Sequence, residues 1–344
     1  MENYQKLQRQ LSKNLSLLQA LIGITVALIP VFGLYFVVHN YWPEDTEVPS
    51  SNVVKVDTLV KPATAPSEWR MHKEEDAELI AYGKQLIANT AYYLGPKGTV
   101  KPITNGLNCQ NCHLEAGTKP FGNNYLSVAS TYPKFRKRSG RITSITDRIN
   151  GCLQRSLNGK PMDSTDHEML AMAAYIKWVG SDTPKGETAY GSLVYKIPYL
   201  DRAADPVAGE AIYTAKCVSC HQADGQGLAA ADGRTYTYPP LWGSHSYNDG
   251  AGLFRMSKLA GYVKMNMPFG ASYENPQLTD EESWDVAAYI NSKQRPEKDK
   301  SKDWPKLADK PIDHPFGPYA DPFSENQHKY GPFKPIEDWY KKNM

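Results

Sequence analysis

Two five-residue stretches limit what this chain can fold into: Cys109-Gln110-Asn111-Cys112-His113 and Cys217-Val218-Ser219-Cys220-His221. In each, two cysteines three positions apart can reach both vinyl edges of one porphyrin and become thioethers. The next residue is a histidine that can bind the iron from one side. A zinc site needs four ligands, and neither stretch has a second Cys/His pair at suitable spacing. A redox dithiol does not require the trailing histidine, still less twice. The spacing therefore predicts two covalently bound haem c groups, attached through Cys109, Cys112, Cys217 and Cys220, with His113 and His221 as iron ligands. Of five cysteines, that leaves Cys152 alone. A lone cysteine in an exported chain is either inert and buried or a reactive thiol.

The length of 344 residues suits two domains with additions, and a hydrophobic content of 41% is enough for their cores. A net charge of +2 is too mild to point to nucleic acid. Residues 1–16 are polar, with Lys6, Arg9 and Lys13. The stretch 17–38 carries no charge; its 22 residues would span about 33 Å as a helix, enough for a bilayer core. Tyr41 and Trp42 follow, then Glu44, Asp45 and Glu47. This pattern predicts a cytoplasmic N-terminus, a transmembrane anchor at 17–38 and a periplasmic remainder held at the inner membrane. A cleaved signal peptide is the competing reading, but no A-x-A-like site precedes Tyr41. Residues 39–68, rich in Pro, Ser, Thr and Val, read as a linker.

From residue 69 the chain forms a degenerate repeat. Each copy has an opening helix with a glycine shortly before apolar positions (Gly83 with Leu86 and Ile87, Gly209 with Ile212 and Tyr213). The haem motif follows, then a Tyr-Pro step (Tyr132-Pro133, Tyr238-Pro239). A closing helix carries Ala-Ala-Tyr-Ile at 173–176 and 287–290. The order is that of a small cytochrome c domain. The predicted fold is all-α: two such domains in tandem, at 69–182 and 207–297, joined by a linker at 183–206. Residues 298–344 are too aromatic for a disordered tail and should pack back as an extended strap.

The second iron ligands separate electron carriage from catalysis. In the second domain Met267, fixed by Pro268, lies where a thioether ligand belongs, and it is preferred to Met265. In the first domain spacing alone leaves Met162 and Cys152 as rivals. Ser144 with Asp147 has capping-box character, predicting a helix that stops at Asn158-Gly159. On it Arg148, Cys152 and Ser156 share one face, beside an apolar face of Ile145, Ile149, Leu153 and Leu157. Seven basic residues lie between Lys134 and Arg155 against the single acid Asp147. Lys134, Arg136 and Lys137 read as a solvated face, whereas Arg148 beside the cysteine suits a small oxyanion.

The run Asp147-Arg148-Ile149-Asn150-Gly151-Cys152-Leu153-Gln154-Arg155-Ser156, set between two haem motifs, resembles the TsdA family of dihaem thiosulfate dehydrogenases. The resemblance extends over about residues 75–340 and includes the His314-Pro315-Phe316-Gly317-Pro318-Tyr319 tail segment. It implies His113 and Cys152 on the first iron, with Arg138, Arg148 and Ser156 lining the substrate pocket and Asn124 as a further pocket residue. It implies His221 and Met267 on the second iron. Some relatives carry a lysine beside that methionine; Asn266 stands there in this chain, with Lys264 nearby. The implied activity joins two thiosulfates into tetrathionate, reversibly in principle, through a transient S-sulfonate adduct on Cys152. A soluble or membrane cytochrome c would take the electrons. The alternatives are a tethered dihaem electron carrier without catalysis, a dihaem peroxidase, and a sulfur-oxidation cytochrome that conjugates thiosulfate to a carrier protein.

Overall fold

The computed structural model describes residues 13–20, 23 and 61–344. Residues 13–20 are helical and exposed. No helix among the described residues is long and apolar enough to cross a membrane. The span expected at 17–38 lies for the most part outside those residues.

Residues 61–344 lie in one unit with two principal cores. In its first half, α1 (Ala77–Ala88) precedes the haem motif. A hairpin of β1 (Lys134–Arg136) and β2 (Arg141–Thr143) follows, then α2 (Ile145–Arg155) and α3 (His167–Val179). The second half has α4 (Pro206–Lys216), a hairpin of β3 (Leu228–Ala229) and β4 (Tyr236–Tyr238), α5 (Met256–Asn266) and α6 (Asp280–Ser292). The tail ends in α7 (Glu325–Tyr330) and α8 (Lys334–Asn343). Two short antiparallel hairpins correct the all-α expectation. The first turns at Gly140, whose φ of +62° suits glycine and whose N–H donates to Arg136 O at 2.9 Å.

The repeated glycines are where opening and closing helices touch. A Cβ on Gly83 would stand 2.0 Å from the Ala171 carbonyl oxygen, and one on Gly209 1.9 Å from that of Asp285. Backbones this close leave no room for a side chain, so α1 crosses α3, and α4 crosses α6, at glycine. Tyr175 and Tyr289, from the Ala-Ala-Tyr-Ile segments, pack at the same crossings. Around the first crossing Leu86, Ile87, Met169, Met172 and Ile176 are buried; around the second, Tyr213, Trp284, Val286 and Ile290. Each such aliphatic side chain contributes about 1.5–3 kcal/mol relative to exposure.

The two halves meet along a polar seam. Asn105 Nδ2 donates to Ser246 O at 2.9 Å, and Asn248 Nδ2 donates to Gln154 O at 2.9 Å. The Tyr262 hydroxyl on α5 donates to Asn111 O, inside the first haem motif, at 2.9 Å. The tail crosses both halves. Asp303 pairs with Arg155 at 2.8 Å, Asp309 with Lys137 at 2.9 Å, and Asp313 with Arg255. Phe333 and Ile336 enter the second core. The expected strap is therefore partly helical, because those apolar residues sit at the start of the amphipathic α8.

Candidate functional site

The first haem motif forms one wall of a cavity of about 280 Å³. Cys109, Cys112 and His113 line it, opposed by apolar side chains such as Ile87, Val128, Ile149 and Leu153. The His113 Nδ1 faces the Asn123 carbonyl, which can only accept, so Nδ1 carries the proton and Nε2 keeps its lone pair. Four of the seven non-glycine residues with positive φ, among the described residues, fall in this one loop: Glu115, Ala116, Phe121 and Asn123. Backbone strain of this kind collects at sites whose geometry is fixed for use, and here it aims the Asn123 carbonyl.

Helix α2 supplies the opposite chemistry. Its start is held by the expected capping box: Asp147 N–H donates to Ser144 Oγ at 3.1 Å, and Ser144 N–H to Asp147 Oδ2 at 2.9 Å. Its end is closed by Asn158, at φ +42°, and by Gly159 N–H donating to Leu153 O at 2.8 Å. Ile145, Ile149 and Leu153 are buried in the first core and line the cavity with their apolar side chains, and Arg148, Cys152 and Ser156 line it from the neighbouring face of the same helix. Arg148 Nη1 donates to Cys152 Sγ at 2.8 Å.

Electrostatics single out this cysteine. Burial pushes Cys109 and Cys112 up to about 12. Burial by itself also raises Cys152, but the Arg148 guanidinium, then His113, then Arg138, outweigh it and hold the thiol down to about 6. Arg138, expected in the pocket lining, is not among the residues that line the cavity; it lies beside α2, where a Cβ on Gly151 would be 3.7 Å from its Nη2. Burial, then Arg155 and Arg148, lower Arg138 to about 10. Asn124 also lines the cavity, with its side chain committed to the backbone: Nδ2 donates to Gly191 O at 2.9 Å and Lys119 O at 3.0 Å.

Lys134, which is exposed as expected, and the half-buried Arg136 also line the cavity, so that basic face reaches the site. They stand two apart on β1 and so share one side of the strand. Arg136 Nη1 donates to the Tyr132 hydroxyl at 2.9 Å. Period-two spacing of the cations was the available signal, hidden by the shortness of the strand. Lys137, the next residue after Arg136, pairs with the tail instead. Met162 is buried in the first core and its backbone is clamped by the Asn150 side chain, at 2.8 Å and 2.9 Å; the cavity lining has Cys152 and not Met162.

In the second half His221 is buried and its Nδ1 donates to Pro239 O at 2.9 Å, which again leaves Nε2 available. The Tyr238-Pro239 step thus holds the second histidine, whereas Asn123 does so in the first half. Met267 caps α5 and packs against the second core. Met265 is buried against Phe121 of the first half. Lys264 is committed elsewhere, donating to Leu278 O at 2.9 Å and pairing with Asp280 at 2.7 Å. Asn266 Nδ2 donates to Tyr262 O at 2.9 Å and to Phe121 O at 3.2 Å.

Paired cysteines and a histidine whose Nδ1 faces a backbone carbonyl recur in both halves, and with the apolar walls of the first they fit a covalently attached flat cofactor. Residues 206–294 match the cytochrome c family, and residues 100–184 match the SoxA/TsdA cytochrome c domain. The fold and its two attachment sites define a dihaem c-type cytochrome. The chain is 38% identical to a thiosulfate dehydrogenase of Psychrobacter arcticus, over 70% of this chain and 71% of that protein. It is 35% identical to one of Stutzerimonas stutzeri, over 67% of this chain and 72% of that protein. It is 37% identical to one of Allochromatium vinosum, over 64% and 79% respectively. The chain belongs to the thiosulfate dehydrogenase family. The solved thiosulfate dehydrogenase TsdBA of Marichromatium purpuratum is similar with a TM-score of 0.63 at 29% identity; the match covers 69% of this chain and 50% of that one.

Proposed function

We propose that this chain joins two thiosulfate ions into tetrathionate in the Cys152 cavity and delivers two electrons, by way of the second domain, to an external cytochrome c. The contact between Arg148 and Cys152, inside a cavity that also holds His113, carries this reading. The family relatives support the substrate. We assign His113 and Cys152 to the first iron, and His221 and Met267 to the second. The haem groups supply acceptance and transfer of single electrons.

The residues of the chain do the rest. The Cys152 sulfur bonds the outer sulfur of one thiosulfate, giving Cys152–S–S–SO3⁻ as two electrons leave. The outer sulfur of a second thiosulfate then attacks the sulfur beside the sulfonate. The bond to Cys152 breaks, tetrathionate departs and the thiolate is restored, as in thiol–disulfide exchange. Two dianions in one cavity repel each other, and Arg148, Arg138, Lys134 and Arg136 offset that repulsion. Ser156, one turn beyond Cys152, donates to a sulfonate oxygen. Asn124 holds the loop wall. The same contacts serve the reverse cleavage of tetrathionate. The apolar stretch 17–38 supports placing the haem domains on the periplasmic side, anchored to the inner membrane.

The test is purified holoprotein mixed with thiosulfate and oxidised cytochrome c. One tetrathionate should form for every two acceptor molecules reduced. No thiosulfate-dependent reduction, with both haems still reducible by dithionite, would leave a simple electron carrier. A second expectation concerns the arginine. Arg148→Met should raise KM for thiosulfate about 10- to 100-fold, the loss of a charge-assisted contact, and Arg148→Lys should restore part of it. Steady-state kinetics unchanged in Arg148→Met would remove Arg148 from the site.

A further inference from the structure

Eight buried side-chain polar atoms among the described residues have no hydrogen-bonding partner, and three of them belong to one pair: Arg295 Nε, Arg295 Nη1 and the Tyr247 hydroxyl. Arg295 follows α6 and lies with its guanidinium carbon 4.3 Å from the Tyr247 ring centroid and 4.9 Å from that of Phe254. Its Nη2 donates to Ile290 O at 3.0 Å, and the guanidinium and the Tyr247 hydroxyl stand close to each other. The surroundings are apolar: Tyr247, Ala251 and Phe254 cluster with Leu253 and Phe316. A guanidinium cannot shed its charge, and a buried one with empty donors is among the costliest groups a fold can hold. A compact anion would satisfy these donors.

Position narrows the choice. Tyr247 lies between Pro239, whose carbonyl holds His221, and Met267, on the stretch of chain belonging to the second haem. Its neighbours His245 and Ser246 accept from Asn105 of the first half, at 3.2 and 2.9 Å, four residues before the first haem motif. Both haem groups carry propionate carboxylates, and a carboxylate matches a guanidinium and a phenol as donors. We propose that Arg295 and Tyr247 form a carboxylate receptor at the seam between the two domains, and that it is filled by a propionate of one of the two haem c groups. The proposal rests on the covalent haems and not on the substrate, so thiosulfate turnover is no evidence for or against it.

The experiment is a potentiometric titration of the full-length holoprotein, following each haem by its own EPR and optical signal. Without the guanidinium the carboxylate charge is uncompensated and favours the oxidised iron. Arg295→Met should therefore lower the midpoint potential of one haem and leave the other in place. Arg295→Lys should recover part of the shift, and Tyr247→Phe should lower the same potential by less. A shift confined to the histidine–methionine signal identifies the second haem as the source, and one confined to the other signal identifies the first. If Arg295→Met does not retain both haems, the two conservative variants decide. Unchanged potentials in Arg295→Lys and Tyr247→Phe would then overturn the receptor. Equal shifts of both haems without recovery by lysine would overturn it as well, since that is the mark of a loosened seam.

Discussion

Replacing Cys152 with glycine is expected to lower thiosulfate turnover by at least about a thousandfold, the scale of losing a reacting nucleophile. The haem content should remain two per chain, because attachment depends on Cys109, Cys112, Cys217 and Cys220. Cys152 makes no packing contribution that glycine would forfeit on the apolar face, since Ile145, Ile149 and Leu153 carry that face. What goes is the sulfur at 2.8 Å from Arg148. Cys152→Ser sharpens the test, because a hydroxyl keeps the size and the acceptor yet stays neutral where the thiol is held down to about 6. Serine should be nearly as inactive as glycine. Substantial turnover in either variant would defeat the covalent route, and the cavity would then be only a binding site.

Gly209→Ala should be the most damaging single methyl group in the second domain. Its Cβ would stand 1.9 Å from the Asp285 carbonyl oxygen and 3.0 Å from Tyr289 Cβ. Helix α6 cannot easily retreat, because the Asp285 carboxylate is gripped by Arg202 through two contacts of 2.8 Å and by Asp205 N–H at 2.8 Å. Overpacking of this kind costs about 1–3 kcal/mol or more, which should lower the melting temperature of the domain by on the order of 10 °C. Gly151→Ala is the control. Its Cβ would meet only Arg138 Nη2, at 3.7 Å, in mid-helix. Alanine there should be neutral or stabilising by up to about 1 kcal/mol. Equal melting of wild type and Gly209→Ala, followed by calorimetry on the holoprotein, would show that the helices can separate after all.

Gly83 and Gly209 were legible because each stands three and four residues ahead of apolar positions (Leu86 and Ile87, Ile212 and Tyr213) in the helix that opens a haem domain. The same holds for Ser144 with Asp147, and for Arg148, Cys152 and Ser156, whose spacings of three and four residues are local signals. What stayed hidden was carried by backbone groups or by distant partners. The carbonyl that orients His113 comes from Asn123, and any residue type owns a carbonyl; only the left-handed φ marks it. The Lys134–Arg136 strand is three residues long, too short to show its alternation. Asn105 with Ser246, and Tyr262 with Asn111, are contacts over more than a hundred residues, which leave no periodic trace. The helical ending of the tail was missed for a related reason: Phe333 and Ile336 are explained by a core to which the tail contributes only at the last.

Helix α5 touches Asn111 through Tyr262, touches Phe121 through Asn266, and ends at Met267. Helix α5 and the packed 183–206 segment together therefore gauge the separation between the two attachment motifs, for Gly191 O accepts from Asn124 at 2.9 Å and Ile197 is buried in the second core. A one-residue insertion within α5 would rotate its far end by about 100° and reset that interval.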